Sequence, residues 1–224
     1  MKWYLTLILV CLGFNIAAPS DFGMWGFVGV KKNLFRGISG YFETELRTRE
    51  DVSVVDCWSL YGELSGSPCK YLKVGGGYTF VHSHKNSDVW AFRHRFNTFA
   101  IGSYSFGNFT LSLRERYEVT IRSEQKVSCE NKTPSHVLRS RIEGKYKIDK
   151  LPLSPYLTVE SYVCFNPRDN YNLEKMRYTS GVAYKVSDVC TLTLYYRYIE
   201  QSSELYEDSH IIGLGCTFSL DNHK

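Results

Sequence analysis

The stretch RHRFNTFAIGSYSFGNFTLSLRERYEVTIR, Arg93 to Arg122, holds two long segments with a two-residue rhythm that meet at Ser105-Phe106-Gly107-Asn108. In the second segment Phe109, Leu111, Leu113, Tyr117, Val119 and Ile121 fall on one face. Thr110, Ser112, Arg114, Arg116, Glu118, Thr120 and Arg122 fall on the other. Strict alternation of this kind is the signature of a strand with unlike faces. One residue breaks it. Glu115 stands in the apolar row, which reads as a bulge or a position near an interface.

The same rhythm recurs along the chain, at 24–32, 38–50, 55–65, 70–83, 89–105, 108–122, 136–148, 154–165, 174–186, 189–200 and 208–220. Many of these segments exceed the usual length of strands in soluble domains. The connections sort into two classes. KNLFRG, SGSPC, SFGN, IDKLPL and KVSDV are short, whereas TREDVSVV, HSHKNSDV, SEQKVSCENKTPS, FNPRDNYNLE and EQSSELYEDS are longer, and the two alternate. Alternating short turns and long loops mark an up-and-down barrel whose rims face different compartments, with the short turns toward the periplasm. The expected fold is therefore all-β: a single up-and-down antiparallel transmembrane β-barrel. Single-chain bacterial barrels have even strand numbers, so of the range of about 10 to 12, twelve is favoured. An odd count would start the first strand outside, which leaves DFGMWGFVGV as the segment in question.

The charged face decides which side looks inward. Glu43, Glu45, Arg47 and Arg49 share one strand face, Lys145, Lys147 and Arg197 belong to the same set, and Asn97 accompanies them. Its centre is Arg93, Arg95, Arg114, Arg116, Glu118, Arg139, Arg141, Glu143, Glu160 and Arg177. Arginine outweighs lysine there, and glutamates lie among the arginines. Solubilising faces gain nothing from a rigid guanidinium fork, whereas ladders of paired Arg and Glu suit a polar lumen. These residues are the expected lumen lining. On the apolar face Trp90, Phe92, Tyr104, Tyr117, Tyr146, Tyr184, Tyr198 and Phe218 stand near strand ends, as membrane-interface girdles do. Leu111, Leu113, Ile142, Val182, Leu192 and Leu194 between them suit hydrocarbon.

Composition agrees with this assignment. The 17 Tyr and 13 Phe favour strands, and a net charge of +4 gives no case for nucleic acid as a partner. Lys2 followed by WYLTLILVCLGFNIA and AAPS reads as a signal peptide over residues 1–20, cleaved between about 17 and 20. Residues 21–224 are then one barrel domain. Beyond Cys11 the chain carries Cys57, Cys69, Cys129, Cys164, Cys190 and Cys216, whose spacing matches no zinc pattern. Neither a metal nor a cofactor is expected. Cys129 in the longest outer loop and Cys164 near the outer end of a later strand are a candidate disulfide.

The fragments WGFVGVKKNL, ETELRTRED, YLKVGGGYTF, RHRF, LSLRERY, HVLRSRIEGKY, SPYLTVESY, RYTSGVAYKVS, TLYYRY and HIIGLGCTFSL occur in this order. Together they resemble the Bacteroidota outer-membrane barrels called domain of unknown function 2490. The resemblance implies a fold and a location, the outer membrane of a Gram-negative bacterium, and transfers no catalytic residue. HIIGLGCTFSL also resembles the last-strand signal read by barrel-assembly machinery, although SLDNHK follows Phe218 where a terminal aromatic is usual. The expected partners are that machinery, outer-membrane lipid and lipopolysaccharide.

Three functions compete. A pore or a closed structural barrel would work through the Arg/Glu lumen, and its excess of basic groups would favour anions. An outer-membrane hydrolase, a protease or lipid A-modifying enzyme, would need His82, His84, Asp88 and His94 to converge, yet His82 and His94 fall on the apolar face. A surface-interaction protein would act through its outer loops, the longest being 123–135.

Overall fold

The computed structural model describes residues 20–35, 37–84, 90–122, 134–166, 172–203 and 207–221. The signal-peptide reading, Cys129 and Asp88 fall outside these residues. The period-two segments become strands β1 (Ser20–Phe35), β2 (Ile38–Arg49), β3 (Val54–Cys69) and β4 (Leu72–His84). They continue as β5 (Trp90–Phe106), β6 (Phe109–Arg122), β7 (Ser135–Tyr146) and β8 (Leu153–Cys164). The last three are β9 (Leu173–Lys185), β10 (Cys190–Gln201) and β11 (Asp208–Ser219). Each strand pairs antiparallel with its sequence neighbours, and β1 closes on β11 to make one barrel.

Among the described residues the closed barrel has eleven strands, not the favoured twelve. No strand was merged: DFGMWGFVGV lies within β1, which extends further at both ends than the alternation indicated. The even-number rule assumes that the first and last strands close antiparallel. Here β1 and β11 run in the same direction, in register from Ser20 opposite Asp208 to Lys31 opposite Ser219. An odd count forces this arrangement, because each hairpin reverses direction once. β1 therefore starts at the long-loop rim. The β2–β3 connection is also shorter than TREDVSVV suggested. It is a tight turn at 50–53, in which Glu50, Asp51 and Val52 all take positive φ and the Ser53 amide donates to the Glu50 carbonyl at 3.0 Å.

Two glycines of β11 face the barrel interior beneath rings of the adjoining strands, Gly213 under Tyr195 of β10 and Gly215 under Phe27 of β1, across the parallel seam. A Cβ on Gly213 would stand 1.9 Å from the Tyr195 ring, and one on Gly215 would stand 2.0 Å from the Phe27 ring. Each ring would have to shift to admit the new side chain, and Tyr195 is itself buried. Gly213→Val and Gly215→Val should each destabilise the barrel by about 1–3 kcal/mol through overpacking. Gly62→Ala, which meets open space, should stay within about 0.5 kcal/mol. Denaturant titration of the folded barrel compares all three.

The burial pattern is inverted relative to a water-soluble fold. Forty large hydrophobic side chains among the described residues are exposed, including Leu214 at 59%, Leu157 at 58% and Ile142 at 56%. The interior instead holds buried Arg114, Glu118, Glu160, Asn97 and Thr179, with small apolar clusters at Trp25–Ile199–Ile211 and Val137–Tyr162–Cys164. No large side chain among the described residues is fully buried.

Candidate functional site: an ion-paired barrel interior

The alternation of each strand sends every second side chain inward. Barrel shear then offsets neighbouring strands, so residues far apart in sequence meet at one height. Glu160 on β8 is the focus. Its Oε1 accepts from Arg114 Nη2 at 2.5 Å and from Arg139 Nη2 at 3.0 Å, and its Oε2 accepts from the Tyr162 hydroxyl at 3.0 Å. Arg177 on β9 donates to the Tyr162 oxygen and stands 4.0 Å from the Glu160 carboxylate. Arg139 on β7 bridges to the next acid, donating through Nη1 to Glu118 Oε1 at 2.7 Å.

From Glu118 the network crosses the barrel. Arg116 lies 3.9 Å from both Glu118 and Glu63, and Arg95 approaches Glu118 at 3.8 Å while its Nε donates to Thr120 at 3.3 Å. On β3 and β4, Glu63 accepts from the Tyr61 hydroxyl at 2.7 Å and from Lys73 Nζ at 3.2 Å. The contact from β6 to β3 passes between strands that are not neighbours, so these side chains occupy the interior itself. One continuous ladder runs from Lys73 to Arg177.

A second cluster surrounds Trp25 of β1. The guanidinium carbons of Arg47, Arg197 and Arg177 lie 4.1, 5.0 and 5.4 Å from its ring centroid. Arg47 is paired with Glu45 at 2.5 Å, and the Arg197 Nε donates to Thr179 at 3.0 Å. Stacking on indole and phenol faces offsets part of the cost of holding these cations away from water. Tyr162 plays the same part for Arg139, at 4.5 Å.

The remaining expected lining residues stand apart from the ladder. Arg141 and Glu143 reach each other at 3.6 Å, and both remain more than a quarter exposed. Arg93 sits opposite Arg122 in the β5–β6 register, near the long-loop rim. Trp25, Tyr61, Tyr162, Glu63 and Lys73 belong to the network but were not singled out from sequence. The parity that Tyr162 shares with Glu160, and Tyr61 with Glu63, was the available signal.

The histidines lie elsewhere. His82 packs on the outer wall, stacked on Trp90 and Phe92 at 4.5 and 4.7 Å between centroids, with its Nδ1 accepting from Trp58 Nε1 at 2.9 Å. His94 pairs with the Tyr78 hydroxyl at 2.7 Å. His84 stands over the same Trp90 ring at 5.1 Å. The described histidines of the hydrolase set thus share the outer wall of β4 and β5, and that wall separates them from the interior carboxylates. Cys164 places its Sγ 3.5 Å from the Asn166 side-chain oxygen.

The model of a family described as Protein of unknown function (DUF2490) matches residues 22–207, from the third residue of β1 to the residue before β11. The chain belongs to the DUF2490 family. The match covers most of the strands and every member of the ion-pair ladder. No curated protein matches this DUF2490 chain.

Proposed function

We propose that this DUF2490 chain is an integral outer-membrane protein whose barrel is closed by its own side chains and serves as a membrane-embedded structural platform rather than a solute pore. The observation that carries the reading is the inverted burial. Exposed leucines ring the wall, while Arg114, Glu118, Glu160 and Tyr162 inside keep only 8%, 5%, 6% and 5% of their surface open. A water-filled channel would leave such lining groups wet. A small barrel can instead be filled completely.

The two rims support a membrane setting. Tyr104, Phe106, Tyr146, Tyr184 and Phe218 are exposed near the short turns, and Trp90, Phe92, Tyr117 and Tyr178 near the long loops. These are the positions of interfacial girdles, one on each side of an apolar band. Exposed Lys31, Lys32, Lys70, Lys147 and Lys150 cluster at the short-turn rim, where they suit anionic phospholipid headgroups. In this reading the short turns face the periplasm, the long loops meet lipopolysaccharide, and β11 is the strand presented to the barrel-assembly machinery.

Two measurements test it. Protein refolded into vesicles should float with them and migrate faster on a gel before boiling than after. In a planar bilayer it should produce no steady single-channel current. A stable conductance with anion preference would replace the closed barrel with a pore.

A further inference from the structure

Cys190 and Cys216 meet on the outer wall at the short-turn rim. Cys190 is the first residue of β10 and shares the parity of Leu192 and Leu194, both exposed. Cys216 lies on β11 between the outward side chains of Leu214 and Phe218. The two Sγ atoms stand 3.5 Å apart, both thiols are free, and both residues are half-buried. Phe218, directly opposite Cys190, belongs to the aromatic girdle of this rim, so the pair lies at a level that water-borne reagents reach. The other described cysteines are placed differently. Cys57 and Cys164 are buried, and Cys69 is exposed at the end of β3.

The strands set the pair diagonally, since Cys190 is opposite Phe218 and Cys216 is opposite Leu192. Diagonal neighbours on one face of a sheet have Cα atoms about 7–8 Å apart. A disulfide prefers about 4.4–6.8 Å, with its sulfurs at about 2.05 Å. Joining these two thiols therefore takes a small backbone shift, and Cys190 is placed to make it. Its ladder with β9 begins only at the next residue, Thr191 opposite Lys185, and behind it lies the turn 186–189. A bond closed under such constraint stores strain, and strained, accessible disulfides are the readily reduced ones.

We propose that Cys190 and Cys216 form a reversible dithiol–disulfide pair that exchanges with disulfides in the periplasm, an oxidising compartment. The thiolate of one cysteine attacks a disulfide R–S–S–R, and R–S⁻ leaves as a mixed disulfide forms. The second thiolate then attacks the sulfur of the first and expels the other R–S⁻. The pair loses two electrons and two protons, and R–S–S–R departs as two R–SH. Oxidation ties β11 to β10 beside the parallel seam with β1, and reduction releases it. The compartment rests on the outer-membrane reading; the exchange itself does not.

Peptide mapping across glutathione buffers of rising oxidised fraction tests the pair. The barrel is equilibrated in vesicles, free thiols are capped with N-ethylmaleimide, and the monomer band is digested without reduction. Trypsin cuts after Lys185 and Arg197 and releases 186–197 and 198–224, each holding one of the two cysteines. The fragments should be joined in oxidised buffer and separate, each capped, in reduced buffer, with the crossover inside the range that glutathione spans. Cys190→Ser should abolish the joined species and leave the heat-dependent gel shift unchanged. Fragments that never join in fully oxidised glutathione overturn the proposal. Fragments that stay joined in fully reduced glutathione also overturn it, because they mark a permanent structural bond. Protein that fails to float with vesicles removes the membrane reading alone, since the same map in detergent still decides the pair.

Discussion

Replacing Glu160 with glutamine should be among the most damaging single changes in this barrel, at about 3–5 kcal/mol. Glutamine keeps the shape but removes the charge that Arg114, Arg139 and Arg177 share. Three guanidinium groups would then face one another at close range in a region with little access to water. Removing one partner of a buried ion pair costs far more than the pair contributes net, because the remaining charge has already lost its hydration. Glu143→Gln is the internal control. Its contact with Arg141 is 3.6 Å long and partly solvated, so its loss should cost about 0–1 kcal/mol. Equilibrium unfolding in urea, from vesicles or detergent, gives both values. Equal effects would mean that the ladder is not the stabilising unit.

The second large effect concerns the outer wall. Leu194 lies mid-strand on β10 and is 52% exposed. Leu194→Arg should cost about 2–4 kcal/mol in a bilayer, the penalty of a cation at the midplane of a transmembrane barrel. The same substitution on a barrel that stands in water would be neutral within about 0.5 kcal/mol, as surface changes usually are. The sign and size of this one number separate the two settings.

The alternation in Arg93 to Arg122 made the β5–β6 hairpin legible almost residue for residue, because its two faces differ sharply in chemistry. Strand β1 was less legible. Its inward residues include Trp25 and Phe27 and its outward residues include Met24, Val28 and Gly26, so both faces are apolar or bare and the rhythm fades. That weakness hid the true extent of the strand and with it the parallel closure on β11. Pairing between the two ends of a chain leaves no local trace.

In the interior, parity assigns a face but not a height. Glu143 and Glu160 look alike in sequence, two acids on adjacent inward rows. Register sets Arg177 directly opposite Glu160, and Arg114 and Arg139 reach the same carboxylate, whereas among the described residues the ion pair of Glu143 is with Arg141. The aromatic members of the network were hidden for a different reason. Tyrosine also belongs to membrane girdles, so Tyr61 and Tyr162 did not stand out until their hydroxyls were seen to meet Glu63 and Glu160.

The central claim is that the apolar wall meets hydrocarbon while the charged face lies within. Quenching of tryptophan fluorescence by lipids brominated along their acyl chains tests it most directly. Two single-tryptophan proteins are required, one with Trp placed at position 194 by Leu194→Trp and one retaining Trp25 alone. Position 194 should be strongly quenched when the bromines sit near the bilayer centre, and Trp25, enclosed by Arg47, Arg177 and Arg197, should be nearly unaffected. Strong quenching of Trp25, or none at position 194, would contradict the account.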